Sequence, residues 1–184
     1  MTAGSWTGRP GGGLGMPNSV LLIGYGNPGR QDDGLGPALA EAVERLRLPG
    51  VTVETDYQLT VEDAAAAAAH RYVVFADASV KGREPFDFRP VHPEAHTSFS
   101  THSLEPEVVL ALARDLFRAD TRGYALGIRG YRFNEFGERL SDEAQDNLAT
   151  ALRFIVPVLT NCTFDAAVCA AEGSEPHAPL RKSP

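Results

Sequence analysis

Val20-Leu-Leu-Ile-Gly-Tyr-Gly-Asn-Pro-Gly-Arg-Gln-Asp-Asp-Gly-Leu-Gly36 decides the fold. Its apolar start reads as a buried strand, and the glycine-rich turn that follows ends in two aspartates and a second glycine pair. A helical pattern begins at once: Leu35, Leu39, Ala42, Val43 and Leu46 fall on one stripe. Strand, tight loop and helix form a common binding site in an open α/β sheet. A loop that holds phosphate presents amide N–H groups and positive charge. Asp32 and Asp33 repel an anion, so this loop suits a cation.

The pattern repeats along the chain. Val51 to Thr55 alternates as a second strand, and Val61 to Ala69 is an alanine-rich helix with Thr60 as N-cap. Tyr72 to Ala76 is a third strand that ends on Asp77. Phe86 to Val91 reads as an edge strand because prolines flank it. Pro93 to Thr101 is a polar loop, and Leu104 to Phe117 a helix capped by Ser103. Tyr124 to Arg129 is a fifth strand. Ser141 caps a last helix with Leu148, Leu152, Ile155 and Leu159 on its stripe, which Pro157 bends or shortens. Strands alternating with helices predict one α/β domain with a mostly parallel sheet. The domain is assigned to residues 19–160, between a disordered Gly/Pro-rich extension at 1–18 and a disordered tail at 161–184.

Composition narrows the function. A net charge of −7 in 184 residues argues against nucleic acid, which needs a basic face. No apolar run approaches a membrane span, and no signal-peptide pattern opens the chain, so the expected location is cytoplasmic. Cys162 and Cys169 match no zinc-knuckle spacing and are read as reduced thiols.

Three side chains then fall at or near the carboxyl edge of the predicted sheet: Asp33 after the first strand, Asp77 ending the third, and His102 ahead of a helix. Two carboxylates and an imidazole form a mixed set that first-row divalent metals accept. Each also has a plainer role, as helix cap, turn residue or solvated histidine like His70, His92, His96 and His177. A competing motif is Gly24-x-Gly26-x-x-Gly29, with Glu54 or Asp56 as the ribose-binding acid of a dinucleotide enzyme. Its third glycine lies in continuing loop rather than inside the helix, and the two aspartates stand where pyrophosphate would sit.

Gly24-Tyr-Gly-Asn27 through Asp32-Asp-Gly-Leu-Gly36 resembles the opening motif of the hydrogenase maturation endopeptidases. Phe75-Ala-Asp77-Ala resembles the family's second motif and Thr101-His102-Ser-Leu104 its third. Leu126-Gly-Ile-Arg-Gly130, Gly137 and Leu140-Ser141 resemble the lead into its final helix. The likeness spans about residues 19–157.

The resemblance implies a three-layer α/β fold, with a twisted five-stranded sheet between helices. It implies an endopeptidase that removes the C-terminal extension of a nickel-containing hydrogenase large-subunit precursor. On this likeness Asp33, Asp77 and His102 engage nickel supplied by the substrate. Asp32 joins them as a residue orienting the loop or the scissile peptide, and Gly26, Asn27 and Gly34 form the substrate loop. No organic cofactor is implied, and the free protein is expected to be a monomer. Many members carry glutamate where this chain has Asp33. No Gly-x-Ser-x-Gly elbow is present, and the adjacent Asp32 and Asp33 make a poor aspartic-protease dyad. A non-catalytic nickel carrier or precursor chaperone would use the same three ligands, and a degenerate protease-like binding module is a further alternative.

Overall fold

A computed structural model describes residues 19–94, 104–134 and 136–173. In chain order these form β1 (Val20–Tyr25), a 3-10 turn (Gln31–Gly34), α1 (Leu35–Leu46), β2 (Val51–Asp56), α2 (Glu62–Ala68), β3 (Tyr72–Ser79) and β4 (Phe86–Val91). α3 (Pro106–Phe117), β5 (Arg122–Arg129), α4 (Asp142–Asn161) and α5 (Phe164–Gly173) follow in the described residues. The five strands lie in the order β2-β1-β3-β5-β4. β1 pairs in parallel with β2 and β3, β3 in parallel with β5, and β4 closes the edge antiparallel to β5. The expected three-layer architecture, with its mostly parallel five-stranded sheet between helices, is the one observed.

The apolar run of β1 follows from burial on both faces. Leu22 joins Val74, Leu126 and Ile128 beneath Leu39 and Val43 of α1 and Ile155 of α4. Leu21 and Ile23 join Val73 and Phe75 beneath Ala64 of α2 and Val109 and Leu110 of α3. After β2 the chain crosses to the other side of β1 to form β3. The crevice between the carboxyl ends of β1 and β3 is therefore the switch point where such sheets bind ligands.

Gly36 makes that crevice narrow. A Cβ there would collide with the carbonyl oxygens of Tyr25 and Ala76, so only glycine lets α1 begin directly over the two strand ends. This uses the helix-opening glycine for packing.

Several local expectations are corrected. Residues 161 onward were expected to be a disordered tail, yet 164–173 form α5. Phe164 is 1% exposed and stacks on Tyr124 at 4.8 Å and against Tyr72 at 4.7 Å. α4 neither stops nor shortens at Pro157: buried Val158 and Leu159 anchor its last turn, and Asn161 Nδ2 donates to the Pro157 carbonyl at 2.9 Å. Cys162, at φ 52°, then turns the chain into α5. Thr60 does not cap α2. Its N–H and hydroxyl donate to Asp63 Oδ2 at 2.6 and 3.1 Å, so the acid reaches back instead. α3 begins at Pro106 rather than Leu104, the favoured first-turn place for proline, and its expected cap Ser103 lies outside the described residues. His70 is no solvated loop residue; its ring nitrogens contact Ala66 O at 2.8 Å and Thr52 Oγ1 at 3.0 Å. Ser141 caps α4 as expected, accepting from Ala144 N–H.

Candidate active site

β1 ends at Tyr25, and the chain must then turn over the strand ends to reach α1. Gly26 makes that turn at φ 132°, pressed against the carbonyl oxygen of Asp33, where a side chain would be both strained and blocked. The turn is held by its own side chains. Asn27 Oδ1 accepts the Gly29 N–H at 2.9 Å, and Asp33 Oδ2 accepts the Asn27 N–H at 3.1 Å. A Cβ built on Gly26 would stand 3.7 Å from Asp77 Oδ1, so the turn passes close beside that carboxylate.

Asp77 arrives from β3. Gly24 pairs with Ala76, which places Asp77 beside Tyr25 at the carboxyl edge. Its Oδ1 accepts the N–H of Ala78 at 2.7 Å. Burial pushes the Asp77 carboxyl up to about 6, and the Ala78 N–H opposes the rise. The charge of Asp33 raises it further, a hydrogen bond from the Tyr25 phenol lowers it, and Glu105 at the head of α3 adds a smaller rise. Burial, then the charges of Asp77 and Glu105, hold the Tyr25 phenol above its ordinary value. Among the described residues neither Asp33 nor Asp77 has an Arg or Lys within ion-pair distance. The charge of Asp33 thus disfavours that of Asp77 across the crevice.

Asp32 does something different. It is 0% exposed and turned away from the crevice into the loop between β5 and α4. Oδ2 accepts the N–H groups of Tyr131 at 2.8 Å and Arg132 at 2.9 Å and the Ser141 hydroxyl at 2.8 Å. Oδ1 accepts the Ser141 N–H at 2.7 Å. Burial disfavours its charge, but these donors outweigh burial and hold the carboxyl below its ordinary value. Asp32 is thus a staple that orients the loop. Sequence reasoning missed its partners because an acid and the amides of a remote loop leave no periodic signature; Ser141 announced only its role as a cap.

Of the residues singled out from sequence, Asp33, Asp77, Gly26 and Asn27 meet at the crevice. Gly34 lies beneath Pro28, where a Cβ would come within 2.9 Å of Pro28 Cα. His102 lies outside the described residues. Among the described residues no group of three His, Cys, Asp or Glu side chains is placed to hold a metal. The contact of Tyr25 with Asp77 has no signal in the sequence, because nothing there reports the neighbouring strand. The dinucleotide alternative fits poorly. The Asn27 and Gly29 amides, which would face a pyrophosphate, already donate to side chains of the turn, and Asp33 occupies the space at the helix start.

Solved structures share this architecture. The NiFe hydrogenase maturation protease HycI from Thermococcus kodakarensis KOD1 superposes with TM-score 0.62 at 22% identity, over 78% of this chain and 94% of that one. The hydrogenase maturating endopeptidase HybD from E. coli superposes with TM-score 0.59 at 18% identity, over 79% and 94%. An uncharacterized protein from Wolinella succinogenes does so with TM-score 0.54 at 26% identity, over 76% and 95%. The chain therefore has the fold of the hydrogenase maturation proteases. No family model matches it, and no curated protein matches it by sequence. No helix of the described residues is long and apolar enough to cross a membrane.

Proposed function

We propose that this chain is an endopeptidase that removes the C-terminal extension of a hydrogenase large-subunit precursor once nickel has been inserted. The observation that carries this reading is the meeting of Asp33 and Asp77, with no Arg or Lys paired to either among the described residues, at the switch point of a fold shared with maturation proteases of that kind. Asp33, Asp77 and His102 complete the coordination of a nickel ion that the precursor brings with it. The ion relieves the repulsion between the two carboxylates, so a precursor without it meets a site that resists docking. Coordination also fixes where the scissile peptide lies relative to the loop of Gly26 and Asn27, which gives the ion the role of a ruler. Asp32 holds that loop in place from below.

Incubation with nickel-loaded precursor, followed by mass measurement of the precursor's C-terminus, tests the reading. Asp77→Asn and His102→Ala are each expected to lower the trimming rate at least a hundredfold while the far-UV circular dichroism stays that of the wild type. Trimming at the wild-type rate by both variants would discard the metal-docking site. Stoichiometric binding of the precursor by the wild-type protein with no shortening would reassign it as a precursor chaperone.

A further inference from the structure

The loop that carries Asp33 is flanked on both sides by loops that each present an exposed aromatic ring. On one side, the Gly26 N–H donates to the Asp56 carbonyl at 3.1 Å, and the next residue, Tyr57, is 71% exposed. On the other, Gly137 N–H donates to Gly29 O at 2.9 Å and Gln31 N–H donates to Gly137 O at 2.7 Å, while the preceding residue, Phe136, is 93% exposed. Neither ring belongs to an unanchored loop. Asp32 ties Tyr131, Arg132 and Ser141, and the Gly137 backbone, next after Phe136, is bonded to Gly29 and Gln31.

Exposing a phenylalanine forgoes the stabilisation that burying it would give. A large ring kept in water beside a hydrogen-bonded turn is available to be covered by a partner. Val61 on the Tyr57 side is also exposed. The centre between the rings is acidic, with Asp33 and Asp77 and the charge of Glu105 beside them.

We propose that Tyr57 and Phe136 are the two apolar anchors of a docking face for a folded protein whose matching surface is apolar around a cationic centre. The occupant to which this commits is the metal-loaded precursor, so the inference rests on the function proposed above and adds where the precursor is held. A free ion or small cofactor has nothing to lay against rings on opposite sides of the loop. Nucleic acid and anionic lipid are repelled by the acidic centre and by the net charge of −7. A protein surface with an embedded divalent ion meets both demands at once.

The test measures binding and trimming of nickel-loaded precursor by the full-length protein, with binding followed by biolayer interferometry. Phe136→Ala and Tyr57→Ala are each expected to weaken binding about tenfold and raise KM by a similar factor, with kcat and thermal midpoint unchanged. The double variant is expected to lose about a hundredfold. Leu116→Ala is the control: Leu116 is 68% exposed at the end of α3, on the opposite edge of the sheet, and its loss should change nothing. Phe136→Trp should restore binding. Normal affinity and KM in both single variants, with wild-type protein still trimming, would overturn the docking face and leave the function standing. If wild-type protein neither binds nor trims precursor, the function falls and the docking face with it.

Discussion

Asp77 sits in the crevice as an acid whose surroundings oppose its charge. Burial first, then Asp33 and Glu105, raise it to about 6, against the ordinary value of 3.8 that it regains in the unfolded chain. The folded state therefore holds a proton that the unfolded state has already released, so stability falls as pH rises through the interval between these values. Below both values the two states are equally protonated and no penalty remains. Asp77→Asn removes the charge while keeping the shape, and should melt a few degrees higher than wild type near pH 8, with the difference shrinking toward zero as the pH falls below 3.8, as read by differential scanning calorimetry. A variant that gains stability as it loses activity marks a residue kept for function at a cost to the fold. Wild-type melting near pH 8 would show that the crevice does not oppose the charge.

The elements were legible where periodicity was strong and illegible where one residue decided the outcome. β1, α1 and β4 are found at the boundaries the sequence suggests, because continuous apolar runs, a full stripe and flanking prolines each leave an unambiguous pattern. α5 left none: its apolar residues are mostly alanines, and its largest anchor is one ring, with Ala167, Val168 and Ala171 packed beside it. Phe164 inserts between Tyr72 and Tyr124, and Tyr124's hydroxyl donates to Asp165 Oδ1 at 2.9 Å, so the start of α5 is fixed to two strands by stacking and one polar contact. Arg122 adds an ion pair to the same carboxylate at 2.7 Å, but that pair is largely exposed and contributes little. Phe164→Ala is accordingly expected to cost about 3–5 kcal/mol in urea unfolding, the loss typical of a buried ring. Asp165→Ala should cost under about 1.5 kcal/mol, since it removes one hydrogen bond and a solvent-screened pair. An alanine at 164 that unfolds at the wild-type urea concentration would return α5 to the status of a tail.

Across the whole molecule, the site depends on joining the beginning of the domain to its end. Asp33 follows the first strand, Phe136 stands before α4, and Asp32 binds the two regions through four donors on Tyr131, Arg132 and Ser141. Sequence could place an acid at the strand end and a serine at a helix start; it could not show that the same carboxylate serves both, because the partners meet only after the sheet has formed. Removing the side chain in Asp32→Ala leaves buried N–H groups without acceptors, and the expected loss is about 3–5 kcal/mol. Asp32→Asn separates charge from shape: one amide oxygen still accepts, but the amide N–H faces other donors, so it should lose a smaller part of that stability. The sign with pH is opposite to that of Asp77. Hydrogen bonds hold Asp32 below its ordinary value in the fold, so its contribution is complete above that value and is lost as pH falls through the depressed one. The gap between wild type and Asp32→Asn should thus shrink on acidification. At a temperature where Asp32→Asn remains folded, its binding of nickel-loaded precursor should weaken although Asp33, Asp77 and His102 are untouched, because the staple sets the distance between the acidic crevice and Phe136. Urea titrations across pH, paired with binding measurements on the same preparation, would show whether stability and docking fall together; unchanged binding in a measurably destabilised Asp32→Asn would mean that the loop keeps its place without the staple.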